Sequence, residues 1–246
     1  MSKTNQKIPK KTMTVKSQKR LLKDVADIMK NNLSDQGICY VHDETNFLNG
    51  YAVVFGPEKT PYEHGVYFFT FKFPHDYPFS PPKLTYLTND GKTRFNPNFY
   101  RNGKVCLSVL NTWKGEQWTS CQTIRSVLLT LVTVLNENPL INEPGISIKN
   151  PQVSIYNKII RYKNFSIAIN NVLKQKLIPV THVIFFPIIK NFIKEKKENI
   201  ITLLRSEIEN CGDNELSCGI YNMYSVHIDY EDCLKNFQNI CCILNI

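Results

Sequence analysis

The chain of 246 residues is long enough to bury one sizeable hydrophobic core, or a core and a smaller second unit. Its hydrophobic fraction of 42% and charged fraction of 21% are ordinary for a globular protein and exclude a wholly disordered or fibrous chain. No apolar run reaches the roughly 18 residues that a membrane helix needs, and the basic N-terminus lacks the apolar stretch of a secretory signal. We therefore expect a cytoplasmic or nuclear protein whose eight cysteines are reduced.

Positive charge is concentrated at the start of the chain. The first 20 residues carry seven basic and no acidic side chains, whereas the whole chain has a net charge of +9. This imbalance predicts a flexible basic arm over residues 1–16, outside the folded body. Such an arm can contact nucleic acid, steer an acidic protein partner or remain a solvated tail, and its charge alone does not choose among these.

The next elements are a helix and four strands. The segment 19–31 places Leu22, Val25, Ile28 and Met29 at helical spacing, which predicts a helix with one apolar stripe. Four short runs rich in Val, Tyr, Phe and Thr then follow, namely GICYVHD, FLNGYAVVFG, GVYFFTFKF and KLTYLT. Because short turn-forming links separate them, they predict an antiparallel meander.

A long ordered loop and further helices complete the chain. Residues 89–119 show no sustained period, but their aromatic residues predict a packed and functional loop. A central helix capped by Thr119 or Ser120 is expected next, apolar on nearly all sides. Beyond residue 146 the pattern predicts a helical extension over residues 147–246, with helices in 154–175, 186–210 and 229–244. Adding stability and choosing partners are both open roles for this extension.

Several motifs in this order resemble the ubiquitin-conjugating enzyme family. GPEKTPYEHGVY is similar to the family's turn between its second and third strands, and YPFSPPKLTYLT to its proline-rich bend and fourth strand. FNPNFYRNGKVCLSVL resembles the active-site loop, with Cys106 eight positions after Asn98, and WTSCQTIRSVLLTL resembles the tryptophan turn and second helix. The resemblance covers residues 17–146. It implies an α+β ubiquitin-conjugating fold, and the NTWKGEQW expansion with the C-terminal helices looks most like the Z branch of the family.

The resemblance implies a function in which Cys106 is the nucleophile. Cys106 would accept ubiquitin or a ubiquitin-like modifier from an activating enzyme as a thioester and pass it to a substrate lysine or a ligase. The motif predicts an accessible thiol, with the Asn98 amide stabilising the oxyanion of the transfer step. Asn96 stands where the family usually has histidine and is expected to support the loop. Glu143 is the candidate acid beside the thiol, with Asn142 as the alternative for that place.

The same resemblance implies the partners. Lys19, Arg20 and Lys23 resemble the family's site for the activating enzyme. Phe79, Trp118, Ser120 and Cys121 correspond to the two loops that ligases grip. A monomer is expected, without nucleic acid as a partner and without a bound cofactor, since ATP is used by the activating enzyme.

Other functions are weighed against this one. A catalytically silent binding module on the same fold is the main alternative; the presence of Cys106 argues against it and Asn96 slightly for it. A cysteine hydrolase would need a histidine near its thiol, and none of the five histidines lies in a hydrolase-like signature. Five cysteines near the C-terminus, close to His227, leave a metal site open, although small buried apolar side chains are the preferred interpretation.

Overall fold

A four-stranded antiparallel sheet lies at the centre of the computed structural model, which describes residues 12–212 and 214–246. Its strands are β1 (Ile38–His42), β2 (Asn49–Phe55), β3 (Val66–Lys72) and β4 (Lys83–Tyr86). They pair in sequence order, with Ala52 of β2 opposite Phe69 of β3. The predicted meander is therefore confirmed, and with the helices that flank it so is the α+β fold class.

The inner face of the sheet packs against two helices. These are α1 (Val15–Lys30) and α2 (Ile124–Val134). Because side chains alternate along a strand, Ala52 and Val54 of β2 point to this face together with Tyr67, Phe69 and Phe71 of β3. All five are fully buried in one cluster with Leu21 of α1 and Leu128 of α2.

Both helices begin elsewhere than predicted. Thr14 caps α1 by accepting a hydrogen bond from the Ser17 amide, so the helix begins inside the predicted basic arm. Residues 1–11 of that arm lie outside the described residues. Thr123, rather than Thr119 or Ser120, caps α2, in a reciprocal arrangement with Ser126.

The predicted apolar faces of these helices also need correction. Leu22 and Met29 of α1 are 54% and 70% exposed, whereas Leu21 is buried. Val25 and Ile28 are buried as predicted, so the true stripe runs through Leu21, Val25 and Ile28. Leu129 of α2 is exposed as well, so α2 buries one face and is not surrounded on all sides.

The C-terminal extension covers the outer face of the sheet. Val53, Phe55, Val66 and Phe68, which alternate with the inner-face residues, form a second buried cluster with the extension. Its helices are α3 (Gln152–Lys163), continued by a π-helical segment Asn164–Asn171, then α4 (Phe186–Glu209) and α5 (Tyr230–Leu244). Phe192 of α4 stacks on Phe55 with ring centroids 4.0 Å apart. The sheet is thus sandwiched between two helical layers.

Two further features join the extension to the rest. The fully buried Asn164 accepts a hydrogen bond from the Tyr67 hydroxyl at 2.5 Å and donates to the Glu63 carbonyl at 2.8 Å. Tyr156 and Ile159 of α3 belong to the inner-face cluster, so the core is continuous across the predicted boundary at residue 146. The hairpin β5 (Glu215–Cys218) and β6 (Met223–His227) is a structure that the sequence pattern did not predict.

Candidate active site

The loop that carries Cys106 is held in place by Asn96. The buried Asn96 amide donates to the Tyr62 hydroxyl at 2.9 Å and to the Val134 carbonyl at 2.7 Å, while its side-chain oxygen accepts from the Asn98 backbone at 2.9 Å. One side chain therefore ties the loop to the β2–β3 connection and to the end of α2. These contacts are what the predicted supporting role of Asn96 requires.

Asn98 and Cys106 are directly joined across the loop. The Cys106 amide donates to the Asn98 carbonyl at 2.9 Å, and the Asn98 side-chain nitrogen donates to the Cys106 carbonyl at 2.7 Å. Asn98 is only 4% exposed, and its side-chain oxygen is buried without a partner among the described residues. The carboxamide that the sequence selects as an oxyanion donor therefore lies beside Cys106, but it already has a backbone acceptor.

The prediction that Cys106 is accessible is wrong for this structure. The residue is 1% exposed rather than accessible. A 3₁₀ turn, Ser108–Leu110, follows directly, and the Thr112 hydroxyl bonds back to Val105 and Leu107 on either side of the thiol. Cys106 is nevertheless absent from both hydrophobic clusters of the described residues. Cys106 is thus buried beside a tight turn and outside both of those clusters.

Gly103 permits the tight turn that returns the loop towards Cys106. Its φ of +85° lies in the left-handed region, and a Cβ there would sit 2.9 Å from the Tyr86 carbonyl oxygen. The Gly103 carbonyl accepts from the Tyr86 amide at 2.8 Å, which pins the loop to the end of β4. The glycine is therefore required by the turn and its close approach to β4.

Arg94 and Tyr221 support the same loop, and the sequence analysis missed both. Arg94 donates to the Asn96 carbonyl at 3.1 Å and the Pro97 carbonyl at 2.7 Å, and its guanidinium lies 3.4 Å from the centre of the Tyr100 ring. Tyr221, in the turn of the β5–β6 hairpin, places its ring 4.9 Å from the same guanidinium. No local signal marks Tyr221, since it lies more than a hundred positions further along the chain.

Tyr221 also contacts the candidate acid. Its hydroxyl donates to the Glu143 carboxylate, and its carbonyl accepts from Arg101 of the loop. Burial, followed by the Glu143 hydrogen bond, raises the pKa of Tyr221. The Asn142 amide instead donates to the Val134 carbonyl at 3.0 Å, near the C-terminus of α2. Of the two residues considered for the acidic position, Glu143 is the one whose side chain joins the network around the loop.

The three basic residues of α1 differ in their surroundings. Lys19 and Lys23 are exposed. Arg20 pairs with Asp24 at 3.0 Å and donates to the Ser120 and Gln122 carbonyls at 2.5 and 2.7 Å. Arg20 therefore joins α1 to the segment before α2, in addition to any role on the surface.

The four residues of the predicted ligase surface divide in a similar way. Phe79 is 64% exposed, and Ser120 and Cys121 of the second predicted ligase loop are exposed as well. Trp118 is buried, and its indole nitrogen donates to the Pro78 carbonyl at 2.7 Å. Trp118 thus connects the two loops, while the other three side chains are available at the surface.

Residues 12–212 and 214–246 contain neither a candidate metal site nor a candidate membrane-spanning helix. No group of three or more His, Cys, Asp or Glu side chains there is arranged to hold a metal ion, including the C-terminal cysteines. In the same ranges no helix is long and apolar enough to cross a membrane.

Comparisons with known proteins agree with this architecture. The family model described as ubiquitin-conjugating enzyme matches residues 20–163. The chain is 41% identical over 160 residues to human ubiquitin-conjugating enzyme E2 Z, covering 64% of this chain and 45% of that protein. It is 33% identical over 218 residues to the probable ubiquitin-conjugating enzyme protein 17 of Caenorhabditis elegans, covering 81% of this chain and 29% of that protein.

A solved structure also matches part of the chain. It is human ubiquitin-conjugating enzyme E2 G1, with 27% identity, a TM-score of 0.44, and coverage of 50% of this chain and 97% of that one. The chain spans about half the length of the E2 Z relatives it matches, from 44% to 50%. Their similarity agrees with the predicted likeness to the Z branch. Because the family model covers more than half of its residues, the chain belongs to the ubiquitin-conjugating enzyme family.

Proposed function

We propose that the chain accepts ubiquitin or a ubiquitin-like modifier from an activating enzyme as a thioester on Cys106. It then transfers the modifier to a substrate lysine or to a ligase. The observation that carries this proposal is the pair of hydrogen bonds between Asn98 and Cys106, which keeps a carboxamide next to the thiol-bearing residue.

The chemistry needs few groups. The Cys106 thiolate attacks the modifier's thioester on the activating enzyme, and that enzyme's thiol leaves. In the second step a lysine amine attacks the new thioester carbonyl, the oxygen becomes an oxyanion, and the Cys106 thiolate departs as the amide forms. An amide donor aimed at such an oxyanion lowers the barrier by about 3–4 kcal/mol in another enzyme class. We assign this donor to Asn98 and acceptance of the amine proton to Glu143.

The covered thiol adds a requirement to this mechanism. Cys106 must become accessible before it can react, and Asn98 must release the Cys106 carbonyl to reach the oxyanion. Residues 114–117, which follow the turn Ser108–Leu110, are exposed and belong to no helix or strand. Movement of this segment therefore disturbs little of the core. We propose that docking of the activating enzyme or of the modifier opens this segment.

The partners follow the same proposal. Lys19, Arg20 and Lys23 contact the activating enzyme, and Phe79, Ser120 and Cys121 contact ligases next to the buried Trp118. The protein binds no cofactor of its own, works as a monomer in the cytoplasm or nucleus, and relies on ATP used by the activating enzyme.

The test identifies which cysteine carries the modifier when the thioester forms. The full chain is incubated with activating enzyme, ATP and modifier, and the adduct is identified by intact mass with and without reductant. We expect a reductant-labile adduct that Cys106→Ala abolishes and Cys106→Ser replaces by a reductant-resistant ester. Cys121→Ser is the matched control, since Cys121 is an exposed thiol. A labile adduct that survives Cys106→Ala would show that the nucleophile is a different cysteine.

The silent binding module remains the second candidate because Cys106 is buried and Asn96 replaces the usual histidine. Discharge of a preformed adduct onto free lysine separates the two functions. A conjugating enzyme releases its modifier to the amine, whereas a binding module forms no adduct to release.

A further inference from the structure

A groove of about 500 Å³ lies between the active-site loop and the C-terminal hairpin. Its walls are the turn at residues 91–93, Arg101, the last turns of α3 and the segment from Asn222 to His227. This volume falls within the usual range of ligand sites, about 300–1,000 Å³. The groove is built jointly by the family domain and the extension.

Positive side chains dominate the lining of this groove. Lys92, Arg101 and Lys163 line it together with His227, and no Asp or Glu is among its lining residues. None of the three Lys and Arg side chains forms an ion pair within the part of the chain that the structure describes. A cleft lined by one sign of charge concentrates its field and attracts the opposite charge.

Arg101 provides an independent observation. Its Nη2 donates to the Tyr221 carbonyl, which fixes the side chain against the hairpin. Its Nε is buried and has no acceptor among the described residues. The guanidinium thus has one acceptor among the described residues, and its positive charge makes an anionic oxygen the favoured occupant of the groove that Arg101 lines.

The backbone of the groove wall is also unusual. Asn222 and Ser225 hold left-handed conformations, with φ of 53° and 49°, and Tyr221 beside them has φ of 65°. Non-glycine residues adopt this region only where the surrounding structure imposes it, and such residues concentrate at functional sites. The hairpin therefore holds a defined wall opposite Lys92.

We propose that this groove binds an acidic segment of the substrate protein and so brings a nearby lysine to the active-site loop. This rests on the proposed function for the identity of the occupant as a substrate. Carboxylates are the groups that pair with Lys and Arg side chains of this kind. Arg101 belongs to the loop that bears Cys106, so a segment in the groove lies along the same loop. Single-stranded nucleic acid fits less well, because Tyr224 is the one aromatic residue among those lining the groove and base stacking needs successive rings.

The first test measures binding without any modifier or activating enzyme. The full chain is titrated against fluorescein-labelled peptides of about eight glutamates or about eight glutamines, with anisotropy as the readout. We expect the glutamate peptide to bind about tenfold more tightly than the glutamine peptide, with an affinity that falls as salt rises. Lys92→Glu and Lys163→Glu should each weaken it about fivefold or more.

Lys149→Glu is the matched control for overall charge. Lys149 is exposed and lines none of the grooves described. This substitution should change the affinity by less than about twofold. An equal loss for Lys149→Glu would show that attraction to the net charge explains the binding and would overturn the proposal. So would the absence of a preference for glutamate over glutamine. Tighter binding of oligothymidylate, lost on the same two substitutions, would assign the groove to nucleic acid instead.

The second test asks whether the groove affects the rate at which the modifier is transferred to a lysine peptide. The protein carrying the modifier as a thioester is offered two lysine peptides. These peptides differ only in carrying a glutamate or a glutamine tract. We expect faster transfer to the glutamate peptide and a rate ratio that approaches one in Lys163→Glu but not in Lys149→Glu. A ratio of one in the native chain, despite tight peptide binding, would contradict a role in substrate selection. Failure to form any thioester would contradict the proposed function while leaving the binding result to stand.

Discussion

Removing the C-terminal extension should unfold the protein rather than leave a functional domain. Deleting residues 164–246 re-exposes Val53, Phe55, Val66 and Phe68, all at most 7% exposed in the structure. Burying a large apolar side chain contributes about 1.5–3 kcal/mol, so these four account for about 6–12 kcal/mol. A domain is typically stable by only about 5–15 kcal/mol, so this loss is comparable with the whole stability.

Polar connections are lost in the same deletion. The Tyr67 hydroxyl loses its acceptor on Asn164 and becomes an unsatisfied buried group. This loss costs about 1–3 kcal/mol more. The Glu63 carbonyl loses its donor as well. The deleted chain therefore gives up apolar burial and hydrogen bonds at the same interface.

The assay compares the full chain with residues 1–163 by thermal unfolding, near-ultraviolet circular dichroism and size-exclusion chromatography. We expect the shortened chain to lack a cooperative transition and to aggregate. A second shortened chain, with the four outer-face residues replaced by Thr or Lys, should be more soluble because the exposed patch is gone. A monomeric 1–163 chain that melts within about 3 °C of the full chain would refute the reasoning. Since deletion disturbs folding, the extension's role in partner choice is better tested with surface substitutions.

Four further predictions follow from named contacts. Ile189→Ala should lower the stability by about 2–5 kcal/mol, whereas Ile188→Ala, at a neighbouring position that is 44% exposed, should cost less than about 1 kcal/mol; urea unfolding compares them. Asn96→Ala removes three side-chain hydrogen bonds and should destabilise the loop by about 2–3 kcal/mol, with an unchanged melting temperature as the contrary result. Asn98→Ala should slow discharge onto lysine by about 100-fold and charging much less; equal effects on both steps would assign Asn98 to loop structure alone. Burial lowers the pKa of His182, so the neutral form is favoured in the folded state and stability should fall as the pH drops below about 6.5; His182→Gln should reduce that slope, and an identical slope would exclude His182 as a cause.

The physical basis of the His182 prediction is its position between the extension and the sheet. His182 is fully buried, its Nε2 donates to the Phe69 carbonyl at 3.1 Å, and its Nδ1 contacts the Thr181 hydroxyl at 3.0 Å. The unfolded chain binds a proton on this ring more readily than the folded one, so acid favours unfolding. His42 and His64 have pKa values lowered by burial too, so His182→Gln should reduce the pH slope without abolishing it.

The sequence by itself determined the local features of this protein. Short runs rich in Val, Tyr, Phe and Thr predicted the four strands, and the turn-forming links between them predicted the antiparallel meander. The Asn98-to-Cys106 spacing identified the loop in which those two residues are hydrogen-bonded. These signals are readable because each depends on residues within about ten positions of one another, where backbone geometry alone relates them.

The second helical layer, which the sequence analysis did not predict, had a signal in the sequence. The runs YAVVF and VYFFTF are apolar at consecutive positions, which is typical of a strand buried on both faces. They indicated that a second layer must cover the outer face, and the extension is that layer. The phase of the α1 stripe was less determinable, because Leu21 and Leu22 are adjacent and only packing against the sheet selects one of them.

Only the tertiary structure decided how the active-site loop is held and covered. Tyr221 reaches Glu143 and Arg101 from a hairpin 78 and 120 positions away, and no pattern within the sequence relates residues so far apart. The burial of Cys106, which is 1% exposed, likewise arises from packing in the folded chain. The sequence names the groups to which we assign the proposed chemistry because their types and local spacing are encoded directly. Their exposure and partners arise from long-range packing, which exists only once the whole chain has folded.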